Sequence, residues 1–289
     1  MENAVKKVSR NKAKRRIDHF FTHIVLLIIT VLSMIPIWWI IVTSIDGKAV
    51  GLSASSIKLL PAQFSFKNYI SVFNNPNFLT WLKNSLIFAG VTTLIVMGLV
   101  ALGAYAYSRF NFPGKKAGMM FFLIVMMLPI TTSLLPQYLM MLKLKLVGKY
   151  IGIILIYTAG NMTFGIWNLK GYFDTIPKSL EEAAIVDGAS KIQVFTNVML
   201  PLAAPAIAIT ALIVFTTVWT EFATAFIFVK SSSQYTLAMG LYNWASNPRN
   251  IPYPLFCAGA MVVALPVATL FMLFQKYIVS GLTAGGVKG

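Results

Sequence analysis

The chain of 289 residues is 57% hydrophobic and only 11% charged, whereas a soluble domain carries about 25% charged residues, so a water-solvated globule is excluded. Its formal net charge of +16 comes from basic residues set between long apolar runs, which fits membrane orientation and argues against a nucleic-acid partner. A mean hydropathy of +0.75 agrees, and the length is better divided into membrane spans than into soluble domains.

Residues 1–19 form a basic tail containing Lys6, Lys7, Arg10, Lys12, Lys14, Arg15 and Arg16. The apolar stretch that follows is too long for a signal-peptide core and lacks a small-residue cleavage site, so it is expected to be retained as a first span. His19 and His23 flank its start without a carboxylate cluster and read as interfacial. A bilayer core of about 30 Å needs roughly 20 apolar residues at 1.5 Å each. Six segments qualify: Phe20–Ser44, Asn84–Tyr107, Ala117–Leu142, Ile151–Leu169, Leu202–Val229 and Leu255–Tyr277. Pro36, Pro129, Pro136 and Pro266 fall inside them, where neighbouring helices can satisfy the freed carbonyls. The expected fold is therefore an all-α polytopic membrane protein, with residues 20–289 as its membrane domain.

Placing both chain ends in the cytoplasm puts the larger share of the 24 Lys and Arg residues inside, although Lys143, Lys145 and Lys149 then lie outside against the trend. The outer connections Ile45–Lys83 and Lys230–Pro254 carry aromatic residues such as Phe64, Phe66, Tyr69, Trp81, Tyr235 and Trp244. These could receive an extracytoplasmic partner or sit at headgroup level as an aromatic belt. The only cysteine, Cys257, lies in an apolar run, which leaves no disulfide framework and no Cys-based metal site.

Lys170–Leu202 is the long inner connection, and residues 177–200 read as a helical hairpin. Pro177 suits a first helical turn. Ser179 with Glu182 forms a candidate capping box, and Glu181 and Glu182 lie near the positive helix end. Leu180, Ala183, Ala184 and Asp187 fall on one face, and Gly188 supplies a stop. Ser190 with Gln193 opens a second helix with the apolar stripe Ile192, Phe195 and Met199, which Pro201 leads into the next span. A helix with small residues on one face and an acidic shoulder can dock in a partner's groove; a connector lying on the membrane is the alternative.

Glu182-Ala183-Ala184, three residues, Gly188, nine residues and Val198-Met199-Leu200-Pro201 resemble the signature Glu-Ala-Ala-x3-Gly-x9-Ile-x-Leu-Pro of permease subunits of binding-protein-dependent ABC importers, with Val198 in place of Ile. Gly171-Tyr172-Phe173, Arg109-Phe110, Phe112-Pro113-Gly114-Lys115 and the terminal run from Gly281 to Gly289 resemble the smaller permease subunit of maltose/maltodextrin-type importers. The resemblance covers nearly the whole chain; raffinose-type and multiple-sugar importers share much of the pattern.

The resemblance implies a six-span type I importer permease in a cytoplasmic membrane, with an oligosaccharide as substrate. It implies a second permease subunit forming a heterodimer, two ATPase subunits inside and an extracytoplasmic sugar-binding protein. Glu181, Glu182, Ala183, Ala184, Asp187, Gly188 and Pro201 would belong to the contact with an ATPase. Gly285 and Gly286 would reach between the ATPase subunits, unless the terminus is simply frayed. The chain is expected to be no enzyme and to hold no cofactor, with ATP and magnesium on the partner. Gly47-Lys48, Gly114-Lys115 and Gly148-Lys149 are not followed by Ser or Thr and lack the glycine spacing of a phosphate-binding loop.

Glu221 is the acid expected inside a span, at a cost of about 2.5 kcal/mol or more if charged at depth. With Trp219, Thr220 and Asn161 it could line a sugar route; the alternative is a structural hydrogen bond between spans. An ion-coupled carrier would need paired ionisable groups and internal repeats, which the sequence lacks, and a membrane enzyme would need a catalytic cluster.

Overall fold

The computed structural model describes residues 2–49, 58–246 and 253–286. In chain order the helices are α1 (Glu2–Ser44), α2 (Lys67–Asn74), α3 (Phe78–Arg109), α4 (Lys115–Met127), α5 (Ile130–Lys143), α6 (Tyr150–Thr175) and α7 (Ser179–Val186). Then come α8 (Lys191–Gln193), a π-helical turn (Val194–Met199), α9 (Leu200–Leu202), α10 (Ala204–Thr220), α11 (Ala223–Phe228), α12 (Leu237–Ser246) and α13 (Tyr253–Gly286). Among the described residues, extended pairing is confined to one bridge between Asp46 and Phe64.

The chain divides into two compact units, one of residues 1–72 and 248–261, the other of residues 73–247 and 262–289. In the first unit α1 is a single helix from the basic tail through the first apolar stretch, and none of its most apolar window is buried. Such a surface suits lipid or another membrane helix as its solvent. Beyond α1, Asp46 is buried and accepts hydrogen bonds from the backbone N–H groups of Lys48, Ala62 and Gln63. Burial alone would raise its pKa, but those three donors, with Lys58 nearby, hold it below the ordinary carboxylate value.

In the second unit the frame is a bundle of α3, α6 and α10. At 1.5 Å per residue, α3 is about 48 Å long, more than a bilayer core. Its buried positions Phe88, Thr92, Val96, Val100 and Ala104 recur every four residues, one stripe of a helix. The stripe packs closely because Gly165 of α6 faces Val100: a Cβ there would lie 2.8 Å from the valine Cγ2.

Two of the six expected spans are broken. Within 117–142 the chain leaves the helix at Leu128 (ψ 129°) and restarts after Pro129, and the flanking helical segments are bent by 107°. The residue before a proline is pushed out of the α region, so Pro129 ends a helix here instead of kinking one. Within 202–229 the helix ends at Thr220, and Glu221 and Phe222 separate it from the short α11. The second hairpin arm meets α10 at a 75° bend at Ala203. Among the described residues, four helices are long and apolar enough to cross a membrane, or up to six if each bent pair is one span.

Candidate functional site

The end of the bundle carrying α7 to α9 assembles the residues singled out by the sequence. Ile176, held extended ahead of Pro177, turns the chain from α6 into α7. The expected capping box at Ser179 does not form. The N–H groups of Glu181 and Glu182 already bond to the Lys178 carbonyl and that of Leu180 to Pro177, so Ser179 lies inside the first turn and caps nothing. Pro177 commits the chain to helical φ two residues earlier than the serine pattern suggests.

The turn at the other end of α7 is a Schellman motif. Ala189 N–H bonds to the Ala184 carbonyl at 2.9 Å and Gly188 N–H to Ile185 at 3.0 Å, with Gly188 at φ +88°. The second capping box is present: Ser190 N–H donates to Gln193 Oε1 at 2.8 Å, and Gln193 N–H to Ser190 Oγ at 3.3 Å. The apolar stripe of the second arm differs from the expected one. Val194 and Met199 are buried, Phe195 is half-buried against Tyr105 with centroids 5.0 Å apart, and Ile192 is 74% exposed. The π-helical turn widens the helix and shifts its facing residues out of 3.6-residue phase, as the Leu200 N–H bond to Phe195 shows.

The hairpin thus has an inner and an outer side. Ala184, Phe195, Val194 and Met199 pack inward on a core shared with Tyr105, Leu169 and Phe173. Glu182, Ala183, Asp187 and Gly188 are exposed, together with the apolar Leu180, Ile185, Val186 (86% exposed) and Ile192. An exposed apolar cluster flanked by two carboxylates is a surface suited to a protein partner or to the membrane face rather than to bulk water. Pro201 lies in α9, two residues before the bend at Ala203.

Glu181 goes the other way. It is only 8% exposed, forms an ion pair with Arg109 at the end of α3, and accepts a hydrogen bond from Tyr105 Oη at 3.1 Å. Arg109 also donates from Nη2 to the Ile176 carbonyl at 2.8 Å and from Nη1 to Ser108 Oγ at 3.0 Å. Ser108 in turn donates to Asp174 at 2.6 Å, and Asp174 pairs with Lys170 on α6. Lys191 of the second arm stands 5.6 Å over the Phe110 ring. In the sequence Arg109 and Phe110 carry only a resemblance, and nothing in the spacing of the hairpin points to a cation 72 residues away as the partner of Glu181.

The residues suggested for a solute route are differently placed. Glu221 is not inside a helix: it sits in the break between α10 and α11. Its carboxylate accepts from Tyr157 Oη at 2.7 Å and from the backbone N–H groups of Thr224 and Ala225, capping α11. Asn161, one turn from Tyr157 on α6, donates to the Tyr157 carbonyl. Trp219 is 1% exposed, stacks on Phe215, and donates to the Val263 carbonyl, so it packs the protein interior. Gly285 and Gly286 are the last turn of α13, and residues 287–289 lie outside the described residues. Among the described residues no group of three or more His, Cys, Asp and Glu could hold a metal.

Apolar helices long enough to cross a membrane, joined by a capped hairpin with an exposed apolar face, define a membrane-embedded protein. Residues 99–284 match the family of binding-protein-dependent transport system inner membrane components, and the chain belongs to that family. It is a multi-pass membrane permease. The maltodextrin transport system permease protein MdxG of Bacillus subtilis is 34% identical, over 91% of this chain and 95% of its own length. The maltose/maltodextrin transport system permease protein MalG of Escherichia coli K12 is 36% identical, over 93% and 96%. The galactooligosaccharides transport system permease protein GanQ of Bacillus subtilis is 32% identical, over 96% and 98%. Among solved structures, a bacterial ABC transporter that imports the acidic polysaccharide alginate matches with a TM-score of 0.73 at 26% identity, over 91% of this chain and 96% of that one. The MetNI methionine ABC transporter in inward-facing form shares the fold at a TM-score of 0.53 and 16% identity, over 74% and 98%.

Proposed function

We propose that this chain is one of two membrane subunits of an ATP-driven importer of maltodextrin-like oligosaccharides, crossing the membrane six times with both ends in the cytoplasm. Each bent pair counts as one span in this reading. Two ATPase subunits hydrolyse ATP with magnesium on the cytoplasmic side, and an extracytoplasmic binding protein delivers the sugar. The second permease is a different chain, forming a heterodimer.

The observation that carries the reading is the division of the hairpin: Glu181 faces in and is neutralised within the chain, while Glu182, Ala183, Asp187 and Gly188 face out beside exposed Leu180, Ile185 and Val186. An outward acid in an apolar collar recognises a basic group at the floor of a groove, here on an ATPase. The hairpin is then the coupling element, and its displacement when the ATPases close drives the spans between inward- and outward-facing states. Gly285 and Gly286 bring the last turn of α13 towards the ATPases. Support for the substrate comes from relatives named for maltodextrin, maltose and galactooligosaccharide transport, which share the oligosaccharide class. Glu221, already accepting three hydrogen bonds, serves the bundle, and sugar contact falls mainly on the partner permease.

The test is co-purification from detergent with uptake in reconstituted vesicles. The intact chain is expected to bring down an ATPase and to support binding-protein-dependent uptake of labelled maltodextrin. Glu182→Lys is expected to insert in the membrane and lose both. Full ATPase retention and uptake in that variant would refute the docking assignment.

A further inference from the structure

The joint between α6 and α7 is narrow. Only Ile176 and Pro177, with Lys178, connect the spans to an eight-residue helix whose outer face is exposed. A push on that face could be absorbed by rotation at Ile176, which is extended and free of helical bonding on its C-terminal side. One side chain spans the joint from both sides. The Arg109 guanidinium donates to the Ile176 carbonyl at the start of the joint and pairs with the Glu181 carboxylate after it. Its third nitrogen holds Ser108 Oγ, which continues to Asp174 and Lys170 of α6. The next residue along, Phe110, receives Lys191 of the other hairpin arm. Both arms are therefore fastened to the exit of α3.

We propose that Arg109 is a positioning residue for energy coupling: it locks the Ile176–Pro177 joint so that α7 and α3 move as one body. The planar fork of arginine satisfies acceptors on both sides of the joint at once, whereas a lysine ammonium, a point charge on a flexible stem, neutralises Glu181 without fixing the geometry. The side chains of Arg109 and Glu181 are 7% and 11% exposed, so the pair works inside the protein and does not touch the ATPase. Because α3 is the helix against which both α6 and α10 pack, motion delivered to its end reaches the whole bundle. This inference rests on the coupling reading of the hairpin.

The test uses the reconstituted full complex with Arg109→Lys and, separately, Glu181→Gln, which keeps the shape of the side chain and one acceptor oxygen but removes the charge and the second acceptor. Assembly with the ATPase and ATP hydrolysis are expected to stay near the unaltered protein, while sugar transported per ATP hydrolysed falls about tenfold, the scale of a typical coupling between sites. Uncoupled turnover in either assembled variant supports the proposal. Full coupling in both, or loss of the assembled complex in both, overturns it. Glu182→Lys run alongside separates the two ideas: if it keeps the ATPase and transports normally, the docking surface is wrong, whatever Arg109 does.

Discussion

The two ends of the α3–α6 pair are fastened in different chemical currencies. At the hairpin end the ties are ionised: Arg109 with Glu181, Lys170 with Asp174, and Lys191 over Phe110. At the opposite end they are neutral. Asn84 donates to the carbonyls of Ser233 and Tyr235 and accepts from Tyr150 Oη at 2.6 Å; Ser85 accepts from Leu237 N–H, and Trp81 donates to Ser232. The neutral end stitches a loop to a helix through backbone carbonyls, which fixes its path. The charged end joins side chains across a joint that carries an exposed helix, the face proposed above to meet the ATPase. Neutral bonds contribute about 0.5–1.5 kcal/mol each, while a buried pair that loses one member costs far more.

Two substitutions sharpen the contrast. Arg109→Met leaves Glu181 buried without a cation and is expected to destabilise the protein by about 3–5 kcal/mol, read as a lower denaturation midpoint in detergent. A midpoint unchanged from the intact protein would mean that the pair contributes nothing at this end. Asn84→Ala removes three neutral bonds and should cost about 1–3 kcal/mol. Its effect is local: proteolysis within residues 230–236 should quicken, while ATPase co-purification is retained. If Asn84→Ala instead weakens ATPase binding, the two ends are not independent in the way their chemistry suggests.

These particulars also show what the sequence could reveal. Long apolar runs located the apolar helices, four of them unbroken, because burying about 20 residues in hydrocarbon leaves a compositional trace. The hairpin was legible for a similar reason: Gly188 and the Ser190–Gln193 box are local devices, and both formed as read. The breaks were hidden because hydropathy is blind to a turn within an apolar run. Pro129 marked one of them, through its effect on Leu128, but the same residue type at Pro136 and Pro266 sits inside a continuous helix. Glu221 marked the other, since a carboxylate at an apolar break can cap the helix that follows.

The site divided along the same line. Helical spacing grouped Leu180, Ala183, Ala184 and Asp187 on one face and set Glu181 beside Glu182. Glu181 is instead buried and Ala184 packs against the core, so of that set Leu180, Glu182, Ala183 and Asp187 are exposed. The partner of Glu181 was not accessible to reading, because Arg109 lies 72 residues earlier and only packing of α3 on α6 brings it near. The stripe on the second arm failed at Ile192 because a π turn has no compositional signature.

The central question is whether the exposed face of α7 is the ATPase contact. The most direct measurement replaces Val186, 86% exposed at the end of α7, with cysteine in the assembled complex after Cys257→Ala. Zero-length or short thiol cross-linking should join Val186→Cys to an ATPase subunit, and cysteine at Tyr242, exposed at the opposite end of the bundle, should give no such product. A complex that co-purifies intact yet yields no cross-link at Val186 while Tyr242→Cys is joined to the ATPase would contradict both the docking face and the orientation of the chain.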